Sequence, residues 1–183
     1  MRLTDLIGVD KQLDQLGRNT KQFLDGLPAN HALLWGSRGT GKSSIIRALL
    51  AEYAGAGLRL IEIERDHLAD LPRVVEQLQG LPQRFVLFCD DLSFEAGESD
   101  YRVLKSVLDG SLEQAPDNVL LYATSNRRHL VPEKESDNEN WKNVDGELHP
   151  NEAVEDKIAL SDRFGLWLSF YPFTQDHFLS VVE

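Results

Sequence analysis

The sequence contains a single cysteine, Cys89, and therefore cannot form an internal disulfide. A zinc ribbon is excluded for the same reason, because no second cysteine is available as a ligand. Cys89 ends the apolar run 85–89, which predicts a buried thiol with no chemical role.

Long apolar runs and positive charge are also scarce. No apolar stretch approaches the length of about 20 residues that a helix needs to cross a bilayer. The first residues also lack the apolar core of a signal peptide. We therefore expect a cytoplasmic protein without a membrane partner. The chain has 19 Lys and Arg against 30 Asp and Glu, a net charge of −11, which disfavours nucleic-acid binding across a broad basic surface.

Helical and extended patterns alternate along the 183 residues, which are enough for one domain with its own core. The predicted helices cover 10–25, 42–54, 64–79 and 101–112, and the predicted strands 31–35, 58–63, 84–89, 119–123 and 166–171. Strands separated by helix-length segments pair in parallel through right-handed crossovers. The expected fold is therefore α/β, a three-layer α/β/α sandwich around a five-stranded parallel sheet.

An acidic insertion at about 132–157 interrupts this order. Residues 133–157 contain nine acidic residues and three lysines, which gives the segment a net charge of −6. This composition predicts a solvated loop. Trp141, Val144 and the turn pair Asp145-Gly146 favour the alternative, a subunit contact or a docking arm for a basic partner.

The most informative motif is Gly36-Ser-Arg-Gly-Thr-Gly-Lys-Ser43, which lies between a predicted strand and a predicted helix. Its glycines let the backbone bend around phosphate oxygens, and the start of the helix adds the positive end of its dipole. Lys42 would contact the β- and γ-phosphates, and Ser43 would ligate Mg²⁺. The predicted phosphate-binding set is Gly36, Ser37, Arg38, Gly39, Thr40, Gly41, Lys42, Ser43 and Ser44.

Two other predicted strands end in polar residues. Asp90 and Asp91 follow the strand 84–89, and Asn126 follows the strand 119–123. A strand next to the loop strand would bring Asp90 to the Mg²⁺ shell, directly or through water, and Asp91 to the attacking water. Asn126 would orient that water. The alternatives are a solvated acidic strand end and an asparagine that caps a turn.

The phosphate loop, the acidic strand end and the polar strand end resemble, in this order, the AAA+ ATPases. They correspond to Walker A at 36–43, Walker B at 85–91 and sensor 1 at Asn126. Segments along nearly the whole chain, among them 34–42 and 160–166, are similar to the bacterial DUF815 family. The resemblance implies a P-loop NTPase that binds ATP or ADP with Mg²⁺ and has the sheet order 5-1-4-3-2.

The resemblance also implies the division of the chain and a site shared between subunits. Residues 1–30 would be an N-terminal linker and helix, with backbone at Gly8 and Val9 lining the adenine pocket, and 31–183 the nucleotide-binding core. Arg163 lies in a segment similar to the AAA+ arginine-finger box and would complete the site of a neighbouring subunit. A homo-oligomeric ring or arc is therefore expected.

Other roles for these arginines stay open. Arg163 is alternatively a structural residue that bridges Asp162 or caps the end of a helix. Arg127 and Arg128 follow the predicted sensor strand and are rival candidates for the finger.

Two features depart from the AAA+ pattern. The usual Walker B glutamate is replaced by Asp91, whose side chain is one methylene shorter, so water must lie closer or hydrolysis is slow. AAA+ proteins continue beyond the fifth strand into a helical lid with a sensor 2 arginine, and residues up to Glu183 supply neither. We therefore expect the lid to be absent and nucleotide affinity to be reduced.

The functional prediction is an AAA+ ATPase core that remodels or loads an unknown macromolecular client, with weak activity in the isolated chain. Catalytic roles would fall to Lys42, Asp91, Asn126 and Arg163, and Mg²⁺ would bind Ser43 and Asp90. The alternative is a nucleotide-gated interaction module that scarcely hydrolyses ATP. A small-molecule P-loop kinase is less favoured, because no arginine-rich closing segment follows the Walker B helix. A GTPase would need a guanine-reading Asn-Lys-x-Asp motif, which the sequence lacks.

Overall fold

The computed structural model describes residues 3–94, 100–109, 116–128, 130, 142–144, 147–149, 160 and 162–172. The α-helices in this part of the chain are α1 (Asp10–Leu24), α2 (Lys42–Tyr53), α3 (Leu71–Leu78) and α4 (Asp100–Leu108). Short 3₁₀ helices cover Leu3–Asp5, Ala54–Ala56 and Arg65–Asp70. Within the described ranges no helix is both long and apolar enough to span a bilayer.

The strands are β1 (Ala32–Gly36), β2 (Leu58–Glu62), β3 (Arg84–Cys89), β4 (Val119–Ser125), β5 (Lys142–Val144), β6 (Glu147–His149) and β7 (Leu166–Phe170). Five of them form a parallel sheet in the order β2-β3-β4-β1-β7. With β7 as the fifth strand, this confirms the predicted order 5-1-4-3-2. Because all five strands are parallel, their carboxyl ends lie along one edge of the sheet.

The order corrects one step of the sequence interpretation. The motifs alone placed the strand that carries Asp90, β3, next to the loop strand β1, whereas in the predicted and observed order β4 lies between them. The registers join Leu34 of β1 to Thr124 of β4, and Cys89 of β3 to Ala123 of β4. Groups that follow β1 and β3 therefore meet across the end of β4.

The sheet is covered on both faces because consecutive buried residues of a parallel strand point to opposite sides. Ala32 and Leu34 pack with buried residues of α1 and α2, such as Leu16 and Ile45. Leu33, between them, packs on the other side with buried residues of α3 and α4. These two cores confirm the predicted three-layer sandwich.

A buried polar network attaches α1 to the centre of the sheet. The Tyr122 hydroxyl of β4 lies 3.1 Å from Asn19 Nδ2 and 2.9 Å from Thr20 Oγ1, both on α1. Asn19 also bonds both backbone groups of Asn30, accepting from its N–H at 2.9 Å and donating to its carbonyl at 2.8 Å. Burial raises the pKa of Tyr122, so its hydroxyl keeps its proton. The network fixes the chain that leads into β1.

Cys89 is buried at the end of β3, as predicted. Burial raises the pKa of its thiol to about 12. The thiol is therefore protonated at neutral pH and is a poor nucleophile.

The acidic insertion contains two short strands, at Lys142–Val144 and Glu147–His149, where the composition predicted a loop. β5 and β6 form an antiparallel pair in which Lys142 faces His149 and Val144 faces Glu147. β-branched residues such as Val144 favour strands. The average composition of the segment does not reveal them. Trp141 and Asp145-Gly146 lie outside the described residues.

Candidate functional site

The predicted phosphate loop joins β1 to α2 at the carboxyl edge of the sheet. Gly36 is required there, because a Cβ atom would come 1.9 Å from the Phe170 carbonyl oxygen of β7. Gly41, the N-cap of α2, has φ 91°, a left-handed conformation that favours glycine. The backbone N–H groups of Lys42, Ser43 and Ser44, in the first turn of α2, donate to no described backbone carbonyl. Free N–H groups at the start of a helix form a site for an anion, so this loop fits a phosphate.

Lys42, the first residue of α2, folds back over the loop. Its Nζ donates to the carbonyl oxygens of Gly36 and Ser37, each at 2.7 Å. It also donates to Asn126 Oδ1, just beyond β4, at 3.2 Å. The predicted phosphate lysine and the predicted sensor asparagine are therefore in direct contact.

The charge on Lys42 is sensitive to its surroundings. Its pKa is lowered, chiefly because burial disfavours the ammonium ion. Asp91 and Asp90 oppose this effect and raise the pKa, whereas Arg38 lowers it further. One ammonium group thus lies in the field of two carboxylates and one guanidinium.

Asp90 and Ser43 form the candidate metal site. The Ser43 hydroxyl donates to Asp90 Oδ1 at 2.7 Å, and the Thr124 hydroxyl of β4 donates to the same oxygen at 2.5 Å. Mg²⁺ typically binds one or two protein oxygens together with substrate phosphates and water. Among the described residues there is no group of three His, Cys, Asp or Glu that would favour another metal. The Ser43 and Asp90 oxygens therefore fit Mg²⁺.

Asp91 is held from three sides. Its backbone has φ 51°, the one positive value among the described residues other than glycine, and its N–H donates to Thr124 Oγ1 at 2.8 Å. Asn126 Nδ2 donates to Asp91 Oδ1. The guanidinium of Arg38, a residue of the phosphate loop, donates to Asp91 Oδ2 at 3.1 Å. The candidate water-activating carboxylate is thus bonded through both of its oxygens.

Two residues of this site, Thr124 and Arg38, make contacts that were not predicted. Thr124 contacts both acids, and its only sequence signal is its place two residues before Asn126 at the end of a buried strand. Arg38 was predicted as a phosphate-binding residue, but its contact with Asp91 spans 53 positions of sequence. Such contacts depend on strand order and loop conformation, which local patterns do not contain.

The predicted adenine-pocket residues lie at the start of α1. Val9 is buried, and its Cγ1 is 4.0 Å from the position of a Cβ at Gly41 in the phosphate loop. Gln12 Nε2 donates to the Ser169 carbonyl of β7 at 2.7 Å, which fixes the same turn of α1 to the sheet edge. Gly8 is exposed and has φ 75°. Contact of Gly8 and Val9 with adenine stays a prediction.

Arg163 contacts the end of α4. Its Nε lies 2.9 Å from Asp109 Oδ1, so its ion-pair partner is Asp109 and not Asp162, and a structural role for Arg163 stays an alternative. Among the described residues no ion pair joins Arg163 to the phosphate loop. Its rival Arg128 stacks over the Trp35 ring, with the guanidinium carbon 5.7 Å from the centroid. The role of Arg163 as a finger stays a prediction.

The sheet order and the phosphate loop after β1, the strand between β4 and β7, are those of the AAA+ class of P-loop NTPase folds. Orc1 of Aeropyrum pernix, solved in complex with DNA, has a TM-score of 0.64 to this chain at 17% identity, covering 96% of this chain and 48% of Orc1. The RuvB Holliday junction branch migration motor of Thermotoga maritima has a TM-score of 0.59 at 18% identity, covering 99% of this chain and 51% of RuvB. The chain thus spans about half the length of each. At these identities the likeness establishes the fold alone.

The family follows from the sequence. The profile described as "Protein of unknown function (DUF815)" matches residues 1–183, and the chain belongs to this family. Comparison with curated proteins gives no match. The resemblance to DUF815 and to the AAA+ fold is confirmed, and a role has to be argued from the site.

Proposed function

We propose that this chain is the nucleotide-binding core of an AAA+ ATPase, which binds ATP with Mg²⁺ and hydrolyses it. One observation carries the proposal. Segments far apart in sequence bring Lys42 within 3.2 Å of Asn126 and Ser43 within 2.7 Å of Asp90, at the edge where the phosphate loop ends. A chance glycine-rich turn has no reason to gather these partners.

Each side chain has a role that its position supports. The loop N–H groups and Lys42 hold the phosphates, and Ser43 and Asp90 hold Mg²⁺, which when bound neutralises charge on the phosphate oxygens. Asp91 accepts a proton from the attacking water, and Asn126, bonded to Asp91, orients that water. The leaving group is the ADP β-phosphate oxygen.

The wider proposal concerns assembly. Arg163 is half-exposed and held by Asp109, so its guanidinium is available at the surface for the site of a neighbouring subunit. An arginine supplied in this way accelerates phosphoryl transfer about 10³–10⁵-fold. We place the chain in a cytoplasmic homo-oligomer, a ring or arc, that remodels or loads an unidentified macromolecular client.

A second candidate function, a nucleotide-gated interaction module, is favoured by Asp91. Both of its oxygens are engaged by Arg38 and Asn126, and it is one methylene shorter than glutamate. Single-turnover hydrolysis of ATP separates the two functions. An ATPase loses turnover in Asp91→Asn, whereas a binding module shows the same negligible turnover in both proteins.

Calorimetric titration with ADP and with a non-hydrolysable ATP analogue, both with Mg²⁺, tests the proposal. We expect binding by the wild type and a loss of at least about tenfold in Lys42→Ala, because a charge-assisted contact is removed. Lys21→Ala, at an exposed lysine of α1, is the matched control and should bind within about twofold of wild type. A wild type that binds neither nucleotide, or equal binding by Lys42→Ala, contradicts the proposal.

A further inference from the structure

The phosphate loop carries an arginine whose partner is a carboxylate of the site. Arg38 Nη2 lies 3.1 Å from Asp91 Oδ2, and the two side chains are 82% and 54% exposed. Beside Arg38, a Cβ at Gly39 would meet no atom within 4 Å, so this part of the loop stands clear of the rest of the protein. The pair therefore forms at the open surface of the loop.

Arg38 lies at the end of the loop where we expect the γ-phosphate of a bound nucleotide. Its partner Asp91 is bonded to Asn126, which also contacts Lys42, so Arg38 belongs to the group of side chains that the proposed function assigns to the terminal phosphate. Val9, the predicted adenine neighbour, lies near Gly41 at the other end of the loop, with its Cγ1 4.0 Å from the position of a Cβ at Gly41. The guanidinium of Arg38 thus lies on the γ-phosphate side.

The contact is of a kind that a phosphate displaces. An exposed ion pair changes an equilibrium constant only a few-fold, since both charges are well solvated. A guanidinium binds phosphate through two parallel hydrogen bonds, which is a stronger and better oriented contact than a single N–H to a carboxylate. Arg38 makes one such single contact with Asp91.

Displacement of Arg38 changes the state of Asp91. The other oxygen of Asp91 stays bonded to Asn126, and its N–H stays bonded to Thr124, so the carboxylate keeps its position. Oδ2 alone loses its partner and becomes available to accept a proton from water.

We infer that Arg38 is the residue by which this site distinguishes ATP from ADP, because its guanidinium exchanges Asp91 for the γ-phosphate. The exchange also frees Asp91 Oδ2 when a γ-phosphate is bound. Arg38 is therefore both a specificity-determining residue and a positioning residue for Asp91. The inference rests on the proposed nucleotide binding.

Equilibrium titration with a non-hydrolysable ATP analogue and with ADP tests the discrimination. Arg38→Ala should weaken binding of the ATP analogue about tenfold and change ADP binding less than about twofold. Arg38→Lys, which keeps the charge and loses the fork of donors, should restore part of the difference. Arg47→Ala is the matched control, since Arg47 forms an exposed pair of the same 3.1 Å length with Glu62.

If Arg38→Ala weakens the binding of both ligands equally, or weakens the binding of neither, the proposed discrimination is wrong. The proposed function fails separately, when wild type binds neither ligand or Lys42→Ala binds as well as wild type. If Lys42→Ala abolishes binding and Arg38→Ala has no effect, the inference alone is wrong.

The exchange itself is tested by introducing Asp91→Asn into the wild type and into Arg38→Ala. Loss of this negative charge strengthens binding of the ATP analogue in any case. If Arg38 must leave Asp91 first, the gain is about threefold larger with Arg38 present than with Arg38→Ala, because an exposed ion pair no longer has to break. Equal gains in the two backgrounds would show that Arg38 and Asp91 act independently and would contradict the exchange.

Discussion

The Thr124 hydroxyl donates to Asp90 Oδ1 at 2.5 Å. The same hydroxyl accepts the Asp91 N–H at 2.8 Å, so one side chain fixes two successive acids. Thr124 is buried at the end of β4, the strand between the loop strand β1 and the acidic strand β3. It therefore connects the half of the candidate site that we propose for Mg²⁺ to the half that we propose for the attacking water.

Thr124→Val removes the hydroxyl at nearly constant volume. The Asp91 N–H then keeps only its longer contact with Asp90 Oδ1 at 3.1 Å, and Asp90 loses its closest donor, so we expect the free energy of unfolding to fall by about 1–3 kcal/mol. We also expect single-turnover ATP hydrolysis to fall at least about tenfold, because Asp91 is no longer held in its left-handed conformation. Urea unfolding and a quenched hydrolysis assay measure the two effects.

Thr124→Ser is the control, since it keeps the hydroxyl and loses a methyl group. It should hydrolyse ATP at close to the wild-type rate. A Thr124→Val protein that is destabilised but hydrolyses ATP normally would show that the contact is structural only.

Sequence patterns were sufficient for elements whose signal is local. The apolar runs around Leu33 and Val86 predicted buried strands, and the glycine spacing before Lys42 predicted the loop between strand and helix. Asp90 and Asn126 were found because they end such runs. A residue at a strand end lies at the sheet edge whatever the order of the strands.

Contacts between residues of different strands could not be predicted from local sequence patterns. Thr124 is one of several small polar residues, and only the place of β4 between β1 and β3 makes it a bridge. The partner of Arg163 is Asp109 rather than the adjacent Asp162, since the end of α4 packs nearby. Composition failed for the acidic insertion because two short paired strands need few apolar residues.

Asp90→Asn should remove the dependence of nucleotide binding on Mg²⁺. The amide is a weaker ligand for a hard cation than the carboxylate, so the gain in ADP affinity on adding Mg²⁺ should fall at least about tenfold. Titration of ADP with Mg²⁺ and with a chelator measures this gain. Asp117→Asn, at a 96% exposed side chain before β4, is the matched control and should keep the wild-type gain. An undiminished Mg²⁺ effect in Asp90→Asn would exclude Asp90 as a ligand.

Arg163→Ala should abolish the part of ATPase activity that increases with protein concentration, and leave nucleotide affinity nearly unchanged. The reason is that a finger acts in the site of the neighbour during phosphoryl transfer. Turnover measured over a range of protein concentrations, with light scattering for the oligomer with ATP, with ADP and without nucleotide, tests this. Reduced affinity with unchanged turnover would count against a role between subunits.

Asp109→Asn tests whether the contact at 2.9 Å positions Arg163. If the carboxylate orients the guanidinium, this variant should lower the concentration-dependent turnover several-fold without changing oligomer formation. Adding Asp109→Asn to Arg163→Ala should then have no further effect, because the residue it positions is absent. An additive loss would assign Asp109 a separate role.

His31 gives the fold a defined response to pH. Its Nδ1 accepts the Leu121 N–H of β4 at 2.9 Å, immediately before β1 begins. Burial lowers the pKa of His31 from its ordinary 6.5 to about 4, so the ring is neutral in the folded protein at pH 7. The contribution of His31 to stability is therefore complete above pH 6.5 and is lost as the pH falls toward 4, because the unfolded chain binds the proton first.

Over this window the free energy of unfolding should fall by about 3 kcal/mol from His31 alone, at about 1.4 kcal/mol for each pH unit. Carboxylates titrate in the same range, so the measurement is the difference between wild type and His31→Asn in urea unfolding at several pH values. The asparagine amide oxygen can accept the same N–H but does not protonate, so its stability should fall less steeply with acid. Parallel pH profiles for the two proteins would show that His31 does not control the acid response of the sheet.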